Sequence, residues 1–339
     1  MTIKAGSVPE EPVIVGVDDG YAAVKLAWYS PDGQIRTHSI LSRAQAGSLG
    51  VGSLLEDAGA VMGYETEAER FTVSPFLEGA TTRFPDYNLS SLARVLVHHA
   101  LITAGFSGHE VRTASGLPLD RYFRNGKKDE VRVARKIESF SRPVQRLDGG
   151  ETSRIVEHKV FAQGLAAVVD WLVSGTTVRS QKAPIGVVDI GGQTTDISIV
   201  NPDRKVSHAH LKTCDLGVLD VRDSLRRRII SSRTDVDRIP DTALDAAMST
   251  GAILHWGAEV PVREDISAAV REIESRLANE VLAVFGKEAS SLETILFVGG
   301  GSIVFQNLPA RFPQAVIPPE PEFANARGLL KVLSMRGEC

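Results

Sequence analysis

The chain has 339 residues, 43% of them hydrophobic and 24% charged, which is typical of a globular protein with room for two domains. It contains 38 Lys and Arg residues and 42 Asp and Glu residues, so its net charge of −4 excludes a general attraction to nucleic acid or anionic membranes. No apolar run approaches the ~20 residues of a membrane span, and we expect a cytoplasmic protein with Cys214 and Cys339 as free thiols.

Strands and helices alternate along the first half of the chain. Runs rich in β-formers predict strands at 13–17, 24–29, 34–41, 111–115 and 155–160. Helical spacing predicts helices at 88–105, capped by Asn88, and at 164–173. The segment 42–85 is rich in Gly and Ser and predicts a small insertion, while mixed charges at 121–140 are typical of a solvated helix face.

The second half repeats this alternation. Strands are expected at 185–190, 196–200 and 294–298, and helices at 217–230, 265–285 and 323–335. The polar stretch 231–263 predicts a second insertion. Such an order of elements favours the α/β class.

Two short turns carry the chemistry. The first, Asp18-Asp19-Gly20, joins two strands and is followed by Lys25. Asp18 could serve as an outer ligand of Mg²⁺, and the positive charge of Lys25 could offset the negative charge of a phosphate group. Taken alone, this sequence favours an ordinary β-hairpin turn.

The second turn is more specific. It runs from Asp189 to Asp196 and contains two adjacent glycines, which allow close approach of a ligand to the backbone, and two threonine hydroxyls. Downstream, a strand at 294–298 opens onto three glycines and Ser302, an arrangement that can accept a base or a phosphate. Taken together, the turns predict a nucleotide held between two related domains.

In this order, the three motifs resemble the two phosphate loops and the adenosine motif of the superfamily of actin, heat-shock chaperones and sugar kinases. The segments 97–105, 116–119, 215–218 and 323–328 narrow the resemblance to the ParM/StbA family, the actin-like ATPases of plasmid segregation. The resemblance implies an actin-like α/β fold with two lobes, each carrying a smaller insertion. The expected first domain is 10–183 plus 322–339, with an insertion at about 35–88; the second is 184–321, with an insertion at about 220–264.

The resemblance also assigns residues to roles. Asp18 and Asp189 would hold Mg²⁺, largely through water. The nucleotide, ATP or GTP, would be surrounded by Asp19, Gly20, Tyr21, Lys25, Gly191, Gly192, Gln193, Thr194, Glu274, Gly299, Gly300, Gly301 and Ser302.

One position departs from the family pattern. ParM-like proteins can carry a Glu near the attacking water, and this chain has Gln163, as actin does. A glutamine can orient a water molecule but cannot accept its proton as a carboxylate would. We therefore expect slow, assembly-stimulated hydrolysis with Gln163 as the positioning residue and with Asp189 or Asp196 as nearby carboxylates. Gln193 stands where a third glycine is common, so the detail of that turn is left open.

The family's function implies a polar filament of this chain and a ParR-like DNA-binding adaptor on a centromere-like site. The chain itself would not bind a specific DNA sequence or a membrane. Three other functions remain open: a small-molecule kinase of the same superfamily, a chaperone-like ATPase, and a nucleotide-dependent scaffold that does not polymerise.

Overall fold

A computed structural model of the protein describes residues 11–48, 61–78, 82–174, 181–233 and 235–335. The strands are β1 Val13–Asp19, β2 Ala23–Tyr29, β3 Ile35–Leu41, β4 Ala44–Ala46, β5 Met62–Thr66, β6 Glu69–Val73, β7 Glu110–Leu117, β8 Phe123–Arg124, β9 Lys127–Lys128, β10 Gln145–Arg146, β11 Arg154–Ala162, β12 Ile185–Ile190, β13 Thr195–Val200, β14 Val206–Cys214, β15 Ala252–His255, β16 Ala258–Pro261, β17 Thr294–Val298 and β18 Ala315–Val316. The α-helices are α1 Ser91–Leu101, α2 Leu119–Tyr122, α3 Glu130–Ser141, α4 Leu165–Leu172, α5 Val218–Ser232, α6 Asp241–Thr250, α7 Arg263–Phe285, α8 Gly301–Val304 and α9 Ala324–Met335.

Two five-stranded sheets form the centres of two lobes, and their topologies are the same. The order is β3-β2-β1-β7-β11 in the first lobe and β14-β13-β12-β17-β18 in the second. In each, an antiparallel meander of three strands is followed by two strands that run parallel to the first strand of the meander. The predicted α/β class and the pair of related lobes are confirmed.

Helix α9 follows the second lobe in sequence but packs on the first. It contacts β1 and α4 closely enough to exclude side chains at two glycines. A Cβ on Gly16 would lie 2.0 Å from the carbonyl oxygen of Ala326, and one on Gly328 would lie 1.8 Å from that of Ala166. The chain therefore returns to the first lobe after completing the second.

The structure changes several local predictions in the first lobe. Strand β3 lies in the main sheet, so the smaller sheet, of order β10-β5-β6-β4, begins at β4 rather than at residue 35. Ser90, not Asn88, caps α1, because its hydroxyl accepts from the amide of Ala93. Helix α3 is not wholly solvated: the side chain of Lys136 is fully buried, since it forms an ion pair with Asp19.

Other predictions hold or fall outside the described ranges. Cys214 is a buried free thiol, and burial raises its pKa to about 11, whereas Cys339 is outside the described residues. Over the ranges given above, none of the helices combines the length and apolar character needed to cross a bilayer. The domain boundaries stay a prediction.

Candidate functional site

The two hairpins predicted to hold phosphate occupy equivalent places in the two sheets. In β1 and β2, Asp18 lies directly opposite Lys25 across the strand pair. In β12 and β13, Asp189 lies directly opposite Asp196. In both hairpins the facing residues are seven positions apart in sequence, so the turns have equal length.

The first hairpin presents a carboxylate already paired with a cation. The ammonium nitrogen of Lys25 lies 3.2 Å from Oδ2 of Asp18. Nε2 of Gln163, at the end of β11, donates to Oδ1 of Asp18 over 3.3 Å. The Asp18 residue is 5% exposed, so both contacts are largely shielded from solvent.

The second hairpin presents two carboxylates without such a cation. Burial raises the pKa of Asp189 to about 6, and the neighbouring charge of Asp18 contributes to that increase. Burial also raises the pKa of Asp196 well above its ordinary value. Asp196 accepts hydrogen bonds from the Leu119 amide, at 3.2 Å, and from the hydroxyl of Thr213.

A cavity of about 190 Å³ lies between the hairpins and reaches the glycine turn after β17. The two lobes touch at its edge: a Cβ on Gly192 would lie 2.6 Å from the Cβ of Ala22. Gly299 has a φ of +80°, and a Cβ there would lie 2.4 Å from the carbonyl oxygen of Ile190. Glycine at both positions therefore allows backbone to pack against backbone around the cavity.

The fold brings most of the predicted site residues to this cavity. Those that line it are Asp18, Gly20, Tyr21, Lys25, Gln163, Asp189, Gly191, Gly192, Thr194, Gly299 and Gly300. Those that do not line it are Asp19, Gln193, Asp196, Glu274, Gly301 and Ser302.

Asp19 is held away from the cavity by helix α3. Both of its carboxylate oxygens lie 2.8 Å from the ammonium of Lys136, and Asn88 donates to its backbone carbonyl over 3.0 Å. Burial raises the pKa of Asp19, while the Lys136 charge acts in the opposite direction. The pair anchors the end of β1, and thus the neighbouring Asp18, to α3.

The residues near the glycine turn also make structural contacts. Glu274 accepts hydrogen bonds from the amides of Asn307 and Leu308, at 2.8 and 3.0 Å. Ser302 donates to the carbonyl of Val298 over 2.7 Å. These contacts fix the segment after the glycines without presenting either side chain to the cavity.

Gln193 faces the opposite lobe. Its side-chain oxygen accepts a hydrogen bond from Arg83, which lies in the first lobe. Arg83 also reaches two carboxylates of α5, with 2.8 Å to Asp220 and 2.5 Å to Asp223. Gln193, which stands where a third glycine is common, therefore takes part in a polar contact between the lobes.

Sequence reasoning missed the support that several residues give to the site. Asn325 donates to Oδ2 of Asp189 over 2.7 Å, although its segment pointed only to the family resemblance. Lys136 gave no signal because a single lysine in a mixed-charge helix is usually solvated. Arg83 gave none because its partners are more than a hundred residues away in sequence.

The donor set fits Mg²⁺ shared with phosphate rather than a metal held by protein alone. Within the described ranges, no group of three or more His, Cys, Asp or Glu side chains could hold a metal ion. Asp18 and Asp189 both face the cavity, and Mg²⁺ in phosphate sites is bound by one or two carboxylates plus water and phosphate oxygens. The raised pKa of Asp189 also indicates a carboxylate that would gain from a cation.

The fold of this protein is similar to that of several solved structures of actin-like proteins. The fold matches a 15-stranded ParM filament from Clostridium botulinum, with TM-score 0.74 and 17% identity over 96% of this chain and 100% of that chain. It matches the archaeal actin homologue Ta0583 in complex with ADP, with TM-score 0.74 and 21% identity over 95% and 99% of the two chains. It also matches Bacillus thuringiensis ParM with AMPPNP, with TM-score 0.68 and 13% identity over 97% and 100%. The protein thus has the fold of the actin superfamily of ATPases.

Family models place it more closely. Residues 13–173 match the N-terminal domain of the plasmid segregation protein ParM, and residues 187–309 match the C-terminal domain of the archaeal MreB-like actin homologues. Both models describe actin homologues and together they cover most of the chain, so the resemblance to ParM that the motifs predicted is confirmed over residues 13–173. No curated protein sequence matches it.

Proposed function

We propose that this protein is an actin-like ATPase that forms polar filaments in a nucleotide-dependent manner. The filaments would segregate plasmid DNA through a DNA-binding adaptor. The observation that carries the proposal is the pair of equal hairpins, which bring Asp18 and Asp189 to one cavity between the lobes. A triphosphate bound there would contact both lobes at once, so its presence and hydrolysis would alter their contact. The ADP- and AMPPNP-bound relatives support a nucleotide in this cavity.

Asp18 and Asp189 would hold Mg²⁺, which neutralises charge on the phosphates when it is bound. Lys25 would exchange part of its contact with Asp18 for a phosphate oxygen, and the glycine turns would supply backbone N–H donors. Gln163 lies 3.3 Å from Asp18, within the wall of the cavity, and would orient the attacking water. Because Gln163 cannot act as a strong base, the hydrolysis would be slow.

The remaining parts of the proposal concern partners. A second copy of the chain is the first partner, and the ParM filament relative supports this assignment. A ParR-like adaptor on a centromere-like site would carry the DNA, in the cytoplasm. The arginines at 226–228 do not favour direct DNA binding, because Arg226 and Arg228 lie 3.0 and 2.8 Å from the carboxylates of Asp223 and Glu272.

High-speed pelleting of the purified protein with Mg-ATP, Mg-GTP, Mg-ADP and a non-hydrolysable triphosphate tests the assembly. Pelleting with triphosphates only is the expected result, and it would also rank ATP against GTP. If nucleotide binds but nothing pellets over a wide range of protein concentration, the protein is a non-polymerising scaffold or a small-molecule kinase instead.

Gln163→Ala tests the hydrolytic role. Phosphate release should fall while nucleotide affinity stays within about threefold, because the side chain contacts the reacting water rather than the phosphates. Gln306→Ala, at an exposed position after α8, is the matched control. Unchanged turnover in Gln163→Ala would remove this residue from the mechanism.

A further inference from the structure

The side-chain amide of Asn325 lies between the two lobes, at the start of α9. The residue is only 4% exposed, and its neighbours Ala324 and Ala326 are fully buried. Its Oδ1 accepts a hydrogen bond from the amide of Gly164 over 2.9 Å, and its Nδ2 donates to Oδ2 of Asp189 over 2.7 Å. These partners fix the amide orientation, since a backbone N–H only donates and a carboxylate only accepts.

Gly164 connects the side chain of Asn325 to the part of the chain that contacts Asp18, the carboxylate of the first lobe. It follows Gln163, whose side chain donates to Asp18. Its φ of +73° is in the region that favours glycine, so the backbone turns sharply just after the predicted water-positioning residue. The side-chain oxygen of Asn325 accepts from the backbone N–H of that turn, which also acts on the carboxylate of Asp189 and lowers its pKa.

Asp189 is oriented by the same side chain. With Oδ2 bound to Asn325, Oδ1 lies beside the glycine turn: a Cβ on Gly299 would be 2.7 Å from it. Gly299 lines the cavity. One oxygen of Asp189 is thus engaged by the protein, while the other is directed towards the site.

We propose that Asn325 is a positioning residue that aligns Asp189 and the Gln163 turn with each other, and so sets the two lobes' metal-binding carboxylates in register. The inference rests on the proposed nucleotide function and names a part of its machinery. Helix α9 suits the role because it is packed rigidly on β1 and α4, as the close contacts at Gly16 and Gly328 require. An amide attached to the first lobe then holds a carboxylate of the second.

Asn325→Leu tests the role, since leucine has a similar size but makes neither hydrogen bond. Loss of a residue that hydrogen-bonds to a metal ligand typically costs 10–100-fold in metal affinity or activity. We therefore expect kcat and Mn²⁺ affinity in the presence of nucleotide each to fall by about 10-fold or more, with the nucleotide KM within about threefold. Mn²⁺ affinity is measured by electron paramagnetic resonance. Ser334→Ala, whose hydroxyl bonds only within α9, is the matched control.

Two further readouts separate positioning from general stability. Hydrogen exchange at the Gly164 amide, measured without ligand, should accelerate in Asn325→Leu while exchange in the β-sheets does not. The loss of Mn²⁺ affinity should also disappear when Asn325→Leu is made in an Asp189→Asn background, because the two residues would act through one contact. Asn325→Ala, which demands no extra space, repeats the series if the leucine variant does not fold.

The outcomes are distinct. A wild type that binds no nucleotide would reject the proposed function itself. A wild type that binds and hydrolyses nucleotide, with variants that retain kcat and Mn²⁺ affinity, would reject only the role of Asn325. Equal losses in the presence and absence of the Asp189 carboxylate would likewise overturn the inference, since the effect would not pass through Asp189.

Discussion

The two hairpins at the cavity share their topology, their length and an aspartate at the same place, but they differ in the residue opposite that aspartate. In the first lobe the cross-strand partner of Asp18 is Lys25, and in the second the partner of Asp189 is Asp196. The first hairpin thus carries its own counter-charge. The second has two buried carboxylates with raised pKa values instead, and only Asp189 of the two lines the cavity. One repeated scaffold thus carries an aspartate from each lobe to the cavity but a lysine from the first lobe alone, so under the proposed function only the first hairpin would add a cationic phosphate contact to the shared metal site.

Asp189→Asn should have the largest effect on this division. The variant removes the charge that would hold the metal but retains the hydrogen-bonding size of the side chain. We expect turnover to fall by about 100-fold or more, because under the proposed function the variant would lose a ligand to the catalytic metal. Phosphate release with Mg-ATP measures it, with circular dichroism to verify folding. Near-normal turnover would mean that the second lobe's carboxylate is not the metal ligand.

Lys25→Met should weaken nucleotide binding in the first lobe. A charge-assisted hydrogen bond contributes about 1.5–3 kcal/mol, which corresponds to about 10–100-fold in affinity. Titration with a fluorescent nucleotide measures the change. Lys25→Arg retains the charge and should lose much less affinity; equal losses in both variants would point to packing rather than charge.

Asp196→Asn should change the pH dependence of stability in the absence of metal. Burial raises the folded-state pKa of Asp196, so its stabilising contribution is fully present below its ordinary pKa of about 4 and is lost as the pH rises through the raised value. The variant should therefore lose less free energy of unfolding than the wild type as the pH rises to about 8. Chemical denaturation at several pH values tests this. Asp189, whose pKa is raised to about 6, should still contribute its share in the variant, and identical slopes in both proteins would contradict the assignment.

Arg83→Met should have the smallest effect. It removes the bond to Gln193 and the ion pairs with Asp220 and Asp223, but these two carboxylates are 17% and 34% exposed and can be solvated once Arg83 is gone, so we expect a loss on the order of 1 kcal/mol. Thermal unfolding measures it. Arg227→Met, at a 64% exposed side chain of α5, is the control, and equal changes would show that the contact between lobes adds nothing.

Much of the fold was predictable because the relevant signals are local. The apolar runs that became β1, β12 and β17 are short, continuous and bounded by glycine turns, and that pattern identifies strands and the turns between them. The equal spacing of Asp18 to Lys25 and of Asp189 to Asp196 is visible in the sequence, so the two hairpins can be paired from their residues alone.

Tertiary structure decided which of these residues reach the cavity. The sequence by itself determined two α/β lobes, their phosphate-type turns and the carboxylates at the strand ends, because strand alternation and glycine spacing depend on near neighbours. It could not determine that Lys136 forms an ion pair with Asp19 outside the cavity. Nor could it determine that Arg83 donates a hydrogen bond to Gln193, or that Asn325 donates one to Asp189. Those outcomes depend on partners brought close by helices α3 and α9 and by packing between the lobes, and no local pattern records contacts that the chain makes only after it has folded.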